Sequence, residues 1–216
     1  MSIDKKQLTK LVSYMAAFDG GIYRRKNRHG NLNNAQFIMN MRKCNIDYIE
    51  WVKSVLENVT SVTVKDRKDY NTDGFVRAEQ VRLETKCHPF FTTLHSRMYM
   101  DGKKVIDPHM LTLMDAEALA IIFMADGSVS KEGYVSLNTK GYSYADNMSL
   151  SKAIHEATGI KSNINRHGQY YYLRVPVKDS GNFYRAVKPY VTESFNYKLE
   201  RLAPHDGDGD IVCTPQ

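Results

Sequence analysis

The sequence predicts an α/β (α+β) fold made of two tandem pseudo-symmetric αββαββα domains, each with an antiparallel four-stranded sheet. Three observations carry that expectation. The run Leu119-Ala120-Ile121-Ile122-Phe123-Met124-Ala125 is apolar throughout and ends abruptly in Asp126-Gly127. A looser copy, Val12-Ser13-Tyr14-Met15-Ala16-Ala17-Phe18-Asp19-Gly20, stands near the N-terminus, so two acids lie 107 positions apart in a chain of 216. The same succession of helical and alternating segments follows each copy. A repeat of this length is a duplicated domain, too long for a solenoid unit.

In the first half, Leu8, Leu11, Val12 and Met15 recur at helical spacing, and Gly20-Gly21 is expected to end that helix. Residues 34–42 alternate, with Ala35, Phe37, Met39 and Met41 on one face and Gln36, Ile38, Asn40 and Arg42 on the other. A helix from Asp47 to Leu56 carries Ile49, Val52 and Leu56 on one stripe. Ser61–Asp66 and Phe75–Thr85 read as strands around a turn-forming stretch, 68–74. His88-Pro89-Phe90 opens a further helix, because proline suits a first turn.

The second half repeats this order. Asp115 to Ala125 is a helix with Asp115 as N-cap. Tyr134 to Lys140 alternates, Ala145 to Thr158 is a helix stopped by Gly159, and Lys161–Arg166 and Tyr170–Val175 flank the turn His167-Gly168. Asp179 to Lys188 is the last long helix. The expected units are a first domain over 1–98, a linker over 99–113, a second domain over 114–202 and a disordered tail over 203–216. That tail has the Asp-x-Asp-x-Asp spacing of a calcium loop, but Ile211 stands where the turn glycine is needed and no closing Glu follows.

Thirty Lys and Arg against 24 Asp and Glu give a net charge of +6, which favours a polyanionic partner. A hydrophobic content of 42%, with 14 tyrosines, argues against a disordered chain. The apolar run Ala118 to Ala125 is far short of a bilayer span, so no membrane partner is expected. The first residues lack a secretory or transit pattern. Cys44, Cys87 and Cys213 form no CxxC pair and read as reduced thiols of an intracellular protein. None of the seven histidines has ligand spacing, and surface or structural roles are expected for all of them.

One Asp before Gly is ordinarily a helix C-cap turn. Two at equivalent places in a duplicated chain point to carboxylates that meet at a shared site. Mg2+ takes oxygen ligands and keeps several waters, so one carboxylate per domain plus phosphate oxygens is a sufficient set. Ser13 with Ala17, and Ala116 with Ala120, give each helix a small-residue stripe that permits close helix approach.

The paired motifs and the element order resemble the LAGLIDADG homing endonucleases in their single-chain, pseudo-dimeric form, over residues from about 8 to 200. The resemblance is strongest in the second half, at Leu111-Thr112 to Gly127, Leu137-Asn138-Thr139, Val187-Lys188-Pro189-Tyr190-Val191 and Tyr197-Lys198-Leu199. Gly102-Lys103-Lys104-Val105 is similar to the inter-domain segment of that family. Ser13, Tyr14 and Phe18 depart from the pattern, so the first motif matches well only at Asp19-Gly20.

The resemblance implies two motif helices packed side by side and a monomer with an internal pseudo-two-fold axis. It implies Asp19 and Asp126 as metal-binding catalytic acids, with Mg2+ as the cofactor and Mn2+ able to substitute. The carbonyls of Phe18 and Ala125 are further candidate ligands. Lys104 and Lys198 would be the catalytic lysines, with Lys103 able to exchange roles with Lys104. Double-stranded DNA would be read by the polar strand faces. These present Gln36, Asn40, Arg42, Lys65, Arg67, Arg77 and Arg82 in half one, and Ser136, Asn138, Lys140, Asn163, Asn165, Tyr172 and Arg174 in half two. The implied activity is hydrolysis of both strands of a long asymmetric site, leaving 3′ overhangs, in intron or free-standing gene homing. The alternative is an intron RNA maturase or a DNA-binding relative that does not cut. Retained Asp19 and Asp126 argue against loss of cleavage. The expected location is the cytoplasm of a bacterium or phage-infected cell, or an organelle.

Overall fold

The computed structural model describes residues 3–67 and 79–202. The first half runs α1 (Lys5–Phe18), β1 (Gly20–Tyr23), β2 (Gln36–Arg42), α2 (Ile46–Leu56), β3 (Val62–Arg67), β4 (Gln80–Thr85) and α3 (Pro89–Met98). A hairpin of β5 (Tyr99–Met100) and β6 (Lys103–Lys104) and a short helix α4 (Pro108–Leu111) lead to the second half. There follow α5 (Ala116–Asp126), β7 (Gly127–Val129), β8 (Val135–Leu137), α6 (Tyr144–Thr158), β9 (Asn163–His167), β10 (Tyr170–Val175) and α7 (Val177–Val187). Two 3-10 turns, Lys188–Tyr190 and Glu193–Phe195, precede α8 (Asn196–Leu199).

Local chemistry sets the helix ends. Asp4 caps α1 by accepting from the Lys6 and Gln7 amides, and Asp115 caps α5 by accepting from Ala118. Ser143 and Asp146 form a reciprocal capping box on α6, and Gly159 ends that helix at φ 73°, where a side chain would be strained. Each N-cap of this kind contributes about 1 kcal/mol.

The two four-stranded antiparallel sheets have the same order, β1-β2-β4-β3 and β7-β8-β10-β9. Their inner faces bury Phe37, Met39, Val81 and Leu83 in one half and Val135, Leu137, Leu173 and Val175 in the other. Helices α1 and α5 pack against each other between the sheets. Residues 118–124 of α5 are buried on every side, which is why its sequence lacks a polar stripe. Ser13, Ala17 and Ala120 are among the buried small residues of this pair. Both halves share one hydrophobic core.

At the N-terminal end of the helix pair, Lys10 is nearly buried and pairs with Asp115 and, at 2.8 Å, with Glu117. Gln7 also donates to Glu117, at 2.6 Å. A second tie joins the halves where the Ser194 amide donates to Asp47, at 2.9 Å.

Several expected boundaries move. The Gly20-Gly21 pair opens β1 rather than only ending α1. The strand expected over Tyr134–Lys140 is three residues long, because Thr139 turns inward and donates to the buried Asn147 of α6. Asn138 and Lys140 therefore lie just past the strand. The last long helix begins two residues early, at Val177 behind Pro176. The third strand of the second half is Asn163–His167 rather than Lys161–Arg166. The linker over 99–113 contains the β5–β6 hairpin and α4. Residues 75–78 of the strand expected over Phe75–Thr85, the residue Arg77 and the tail over 203–216 lie outside the described residues.

Candidate active site

Asp19 and Asp126 close their motif helices at related places, each followed by a glycine that begins a strand. Close packing dictates both glycines. A Cβ on Gly20 would lie 2.5 Å from the Phe37 ring, and one on Gly127 would lie 2.3 Å from the Phe123 ring and 2.4 Å from the Phe123 carbonyl oxygen. The acids are thus held where the chain runs too close to Phe37 and Phe123 for a side chain to fit.

The two carboxylates line a cavity of about 680 Å³, together with Asn40, Arg42 and Gln80 from the first sheet and Phe195, Tyr197 and Lys198 from the C-terminal turns. Asp126 also faces a second cavity of about 480 Å³, lined by Ser136, Asn138, Lys140, His167 and Tyr172. The acids therefore sit beneath the outer faces of both sheets.

Burial and the nearby Asp126 charge push the Asp19 carboxyl up to about 7, against opposing pulls from the Tyr48 hydroxyl, Lys198 and Lys104. Burial likewise raises Asp126, opposed by Lys198 and Lys104. Burial lowers both lysines, opposed by the two acids. Four charged groups of balanced sign thus face one another in a partly desolvated site.

The lysines occupy matching places. Lys104 donates to the carbonyls of Ala16 at 2.8 Å, Ala17 at 3.1 Å and Gly20 at 2.8 Å. Lys198 donates to those of Phe123 at 3.1 Å and Met124 at 2.7 Å. Ala16 and Ala17 stand 107 positions before Phe123 and Met124, the same spacing as the acids. Each ammonium thus neutralises the negative end of its own motif helix. The pairing of Tyr99 with Lys104 turns Lys104 inward and leaves Lys103 exposed, which separates the two lysines that sequence alone left interchangeable.

Among the described residues no group of three or more His, Cys, Asp or Glu could hold a metal by itself. The two carboxylates do fit a divalent cation: burial disfavours their charge, and Asp126 further disfavours the charge on Asp19. A cation would relieve both effects, completing its shell with carbonyl, water and phosphate oxygens.

Strand pairing brings most of the expected reading residues onto the outer sheet faces. Asn40, Arg82 and Lys65 form one row across β2, β4 and β3, and Arg42, Gln80 and Arg67 the next. Gln36 lies at the far end of β2, opposite Tyr23. In half two, Ser136, Arg174 and Asn163 form one row, and Tyr172 with Asn165 another. Ile38 shares the outer face of β2 but is only 5% exposed, so that face is not uniformly polar.

Other site residues were not anticipated. Tyr48 donates from α2 to the Asp19 carboxylate, and Tyr142 donates to the Ala17 carbonyl at 2.7 Å. Tyr48 stands four residues before Val52, so its place on the buried stripe was available in the sequence. Its acid partner was not. His167, expected to have only a surface or structural role, lines the second cavity. Glu84 lies on the outer face of β4, within reach of Arg82 and Lys65.

Two related halves with the same sheet order, meeting along acid-tipped helices, define a pseudo-dimeric scaffold with one acid from each half at a shared site. The chain matches the model of the LAGLIDADG DNA endonuclease family over residues 19–183 and belongs to that family. It is 28% identical over 125 residues to probable intron-encoded DNA endonuclease 3 of Mycosarcoma maydis, covering 55% of this chain and 92% of that protein. It is 26% identical over 121 residues to cytochrome b mRNA maturase bI2 of Debaryomyces hansenii, covering 55% of this chain and 46% of that protein. The fold is similar to that of the homing endonuclease I-WcaI bound to its DNA recognition sequence, with a TM-score of 0.72, 22% identity, and 92% and 88% of the two chains covered.

Proposed function

We propose that the protein is a site-specific, metal-dependent endonuclease that cuts both strands of a long, asymmetric DNA target. The observation that carries this reading is that Asp19 and Asp126 meet in one cavity beside the first sheet, while Asp126 also faces a cavity lined by the second sheet. Hydrolysis requires that a water oxygen attack phosphorus, that a P–O ester bond break, and that the leaving oxygen be stabilised. Divalent metal supplies charge relief at each of these points. In this chain Asp19 and Asp126 would hold Mg2+, with Mn2+ as a substitute. Lys104 and Lys198 would place positive charge where the phosphate gains negative charge.

The outer strands would follow the major groove, which is wide enough for a two-stranded ribbon. Gln36, Asn40, Arg42, Lys65, Arg67, Arg77 and Arg82 would contact one half-site. Ser136, Asn138, Lys140, Asn163, Asn165, Tyr172 and Arg174 would contact the other. One chain supplies both halves, so the working form would be a monomer; the family resemblance adds that it would leave 3′ overhangs and act in gene homing, within the compartment holding its target DNA. Among the described residues no helix is long and apolar enough to cross a membrane.

The test is linearisation, in Mg2+, of a plasmid bearing the uninterrupted insertion site of the gene, mapped to single-base resolution. Affinity for that duplex should fall with salt at a slope of about −0.9 per phosphate contact. Intact plasmid together with a flat salt response would remove DNA as the substrate. The likeness to a maturase motivates one further arm, in which intron RNA replaces the duplex. Tight RNA binding with no DNA cutting would favour splicing.

A further inference from the structure

The pseudo-two-fold relates the two sheets residue by residue, yet the chemistry at related places differs. Gly20 pairs with Met39 and Gly127 with Leu137, which makes Asn40 the counterpart of Asn138 and Ile38 that of Ser136. Leu83 pairs with Met39 and Leu173 with Leu137, which makes Arg82 the counterpart of Tyr172 and Glu84 that of Arg174. An acid in one half thus stands where the other half has a base.

Each half nevertheless sets an arginine of this face against a neighbouring side chain. The Arg174 guanidinium carbon lies 3.5 Å from the centre of the Tyr134 ring. Tyr134 is two residues before Ser136 and shares its face. Stacking fixes the guanidinium plane while its donors lie along the edge. In half one a carboxylate does the holding. Arg82 Nε lies 3.0 Å from Glu84 Oε2, and Lys65 Nζ lies 3.9 Å from Glu84 Oε1. That bond engages Nε, whereas a fork on guanine O6 and N7 can be made by the two Nη groups.

We propose that Arg174 and Arg82 each read a guanine in the major groove, at places in the two half-sites that the pseudo-two-fold does not relate, with Tyr134 and Glu84 as their positioning residues. The proposal rests on the DNA-cutting reading above and adds to it where the target departs from two-fold symmetry. A phosphate contact needs positive charge but no fixed plane, so neither a ring face nor a carboxylate beside the arginine would help it. A carboxylate would in fact weaken it. Asn40 and Asn138 match, and asparagine pairs with adenine N6 and N7, so the same base is expected at that related pair of positions.

The experiment selects duplexes from a randomised DNA library with the full-length protein, in chelator so that no cleavage intervenes. The wild-type consensus should contain two strong guanine positions at unrelated places. Arg174→Lys and Arg82→Lys keep the charge but lose the fork. Each should lower guanine preference at one position by roughly 5- to 150-fold, the equivalent of 1–3 kcal/mol, and leave binding to unselected duplex within about twofold. Tyr134→Leu and Glu84→Gln should each weaken only the position of the arginine they hold. Tyr134→Phe, which keeps the ring, should retain it and so guards against simple misfolding. Arginine variants that weaken all sequences alike, or leave both guanine positions unchanged, would overturn the inference while the wild-type consensus still upheld DNA recognition. A wild-type protein that enriches no sequence would overturn both.

Discussion

The two acids occupy related places in unlike surroundings. Asp19 accepts a hydrogen bond from the buried Tyr48, and its helix end is braced by Tyr142, whose ring also packs on Phe18 at 5.7 Å. Asp126 is raised by burial and pulled back by the charges of Lys198 and Lys104. It opens into both cavities, whereas Asp19 lines one. Duplication thus kept the acid, the glycine after it and the lysine on the helix end, while the residues packed around them diverged. The first motif differs from the second for this reason: Tyr14 and Phe18 stack on each other, and Phe18 packs against Tyr142.

The strongest way to break the comparison is to remove the shared charge. Asp19→Asn and Asp126→Asn should each lower double-strand cleavage by more than the ~100-fold typical of an outer partner of a metal site, while DNA binding in chelator changes little. The double variant should be inactive. Wild-type cutting by that variant would sink the metal assignment. Should Asp19→Asn yield nicked rather than intact plasmid, the two acids serve separate strands.

Next come the lysines. Lys104→Ala and Lys198→Ala should each reduce cleavage by about 100-fold or more, the scale of removing one fixed charge-stabilising donor, with binding unchanged. Urea unfolding should register only the ~1–3 kcal/mol of helix-end carbonyls left without a partner. A cleavage loss explained wholly by unfolding would make both lysines structural.

Tyr48→Phe sharpens the difference between the halves. Loss of the Asp19 hydrogen bond should slow one strand by about 10- to 100-fold, as for outer-shell partners, so nicked circles accumulate. Equal slowing of both strands, measured with each strand end-labelled, would mean that Tyr48 does not act through Asp19.

The acid environment also predicts a pH dependence. A proton and a divalent cation compete for Asp19, whose carboxyl is pushed up to about 7 in the fold from an ordinary value of 3.8. Metal affinity should therefore climb about tenfold per pH unit up to roughly 7 and then level off, with proton release falling across the same window. Without metal the sign reverses. Protonation is favoured in the folded state, so that contribution to stability is full below about 4 and is lost as pH rises through about 7. Calorimetric Mg2+ titrations across that range, with thermal melts in chelator, check both signs. A flat affinity profile would refute the pKa assignment.

The smallest expected effect is at the helix contact. Ser13 Oγ is buried without a hydrogen-bond partner among the described residues, and its counterpart 107 positions on is Ala120. Ser13→Ala should be neutral or stabilise by up to about 1 kcal/mol, since an unsatisfied hydroxyl is removed. A loss above that in chemical denaturation would reveal a partner for the hydroxyl.

Local chemistry is written in the sequence. Period-3.6 and period-2 patterns, Asp115 before an apolar run, Gly159 after one and the two Asp-Gly steps all act over a few residues, so the helices, most strands and the place of both Asp-Gly steps at the motif-helix ends were legible. What acts over long separations was not. Tyr48 is 29 positions from Asp19, and Tyr142 is 125 from Ala17. Thr139 leaves its strand because a side chain eight residues on receives its hydroxyl. Lys103 and Lys104 are equivalent until Tyr99 pairs with one of them. The correspondence of Glu84 with Arg174 exists only once three strands of each sheet are in register. Tertiary structure decided these matters because hydrogen bonds and ion pairs depend on distance in space, and chain separation carries no record of it.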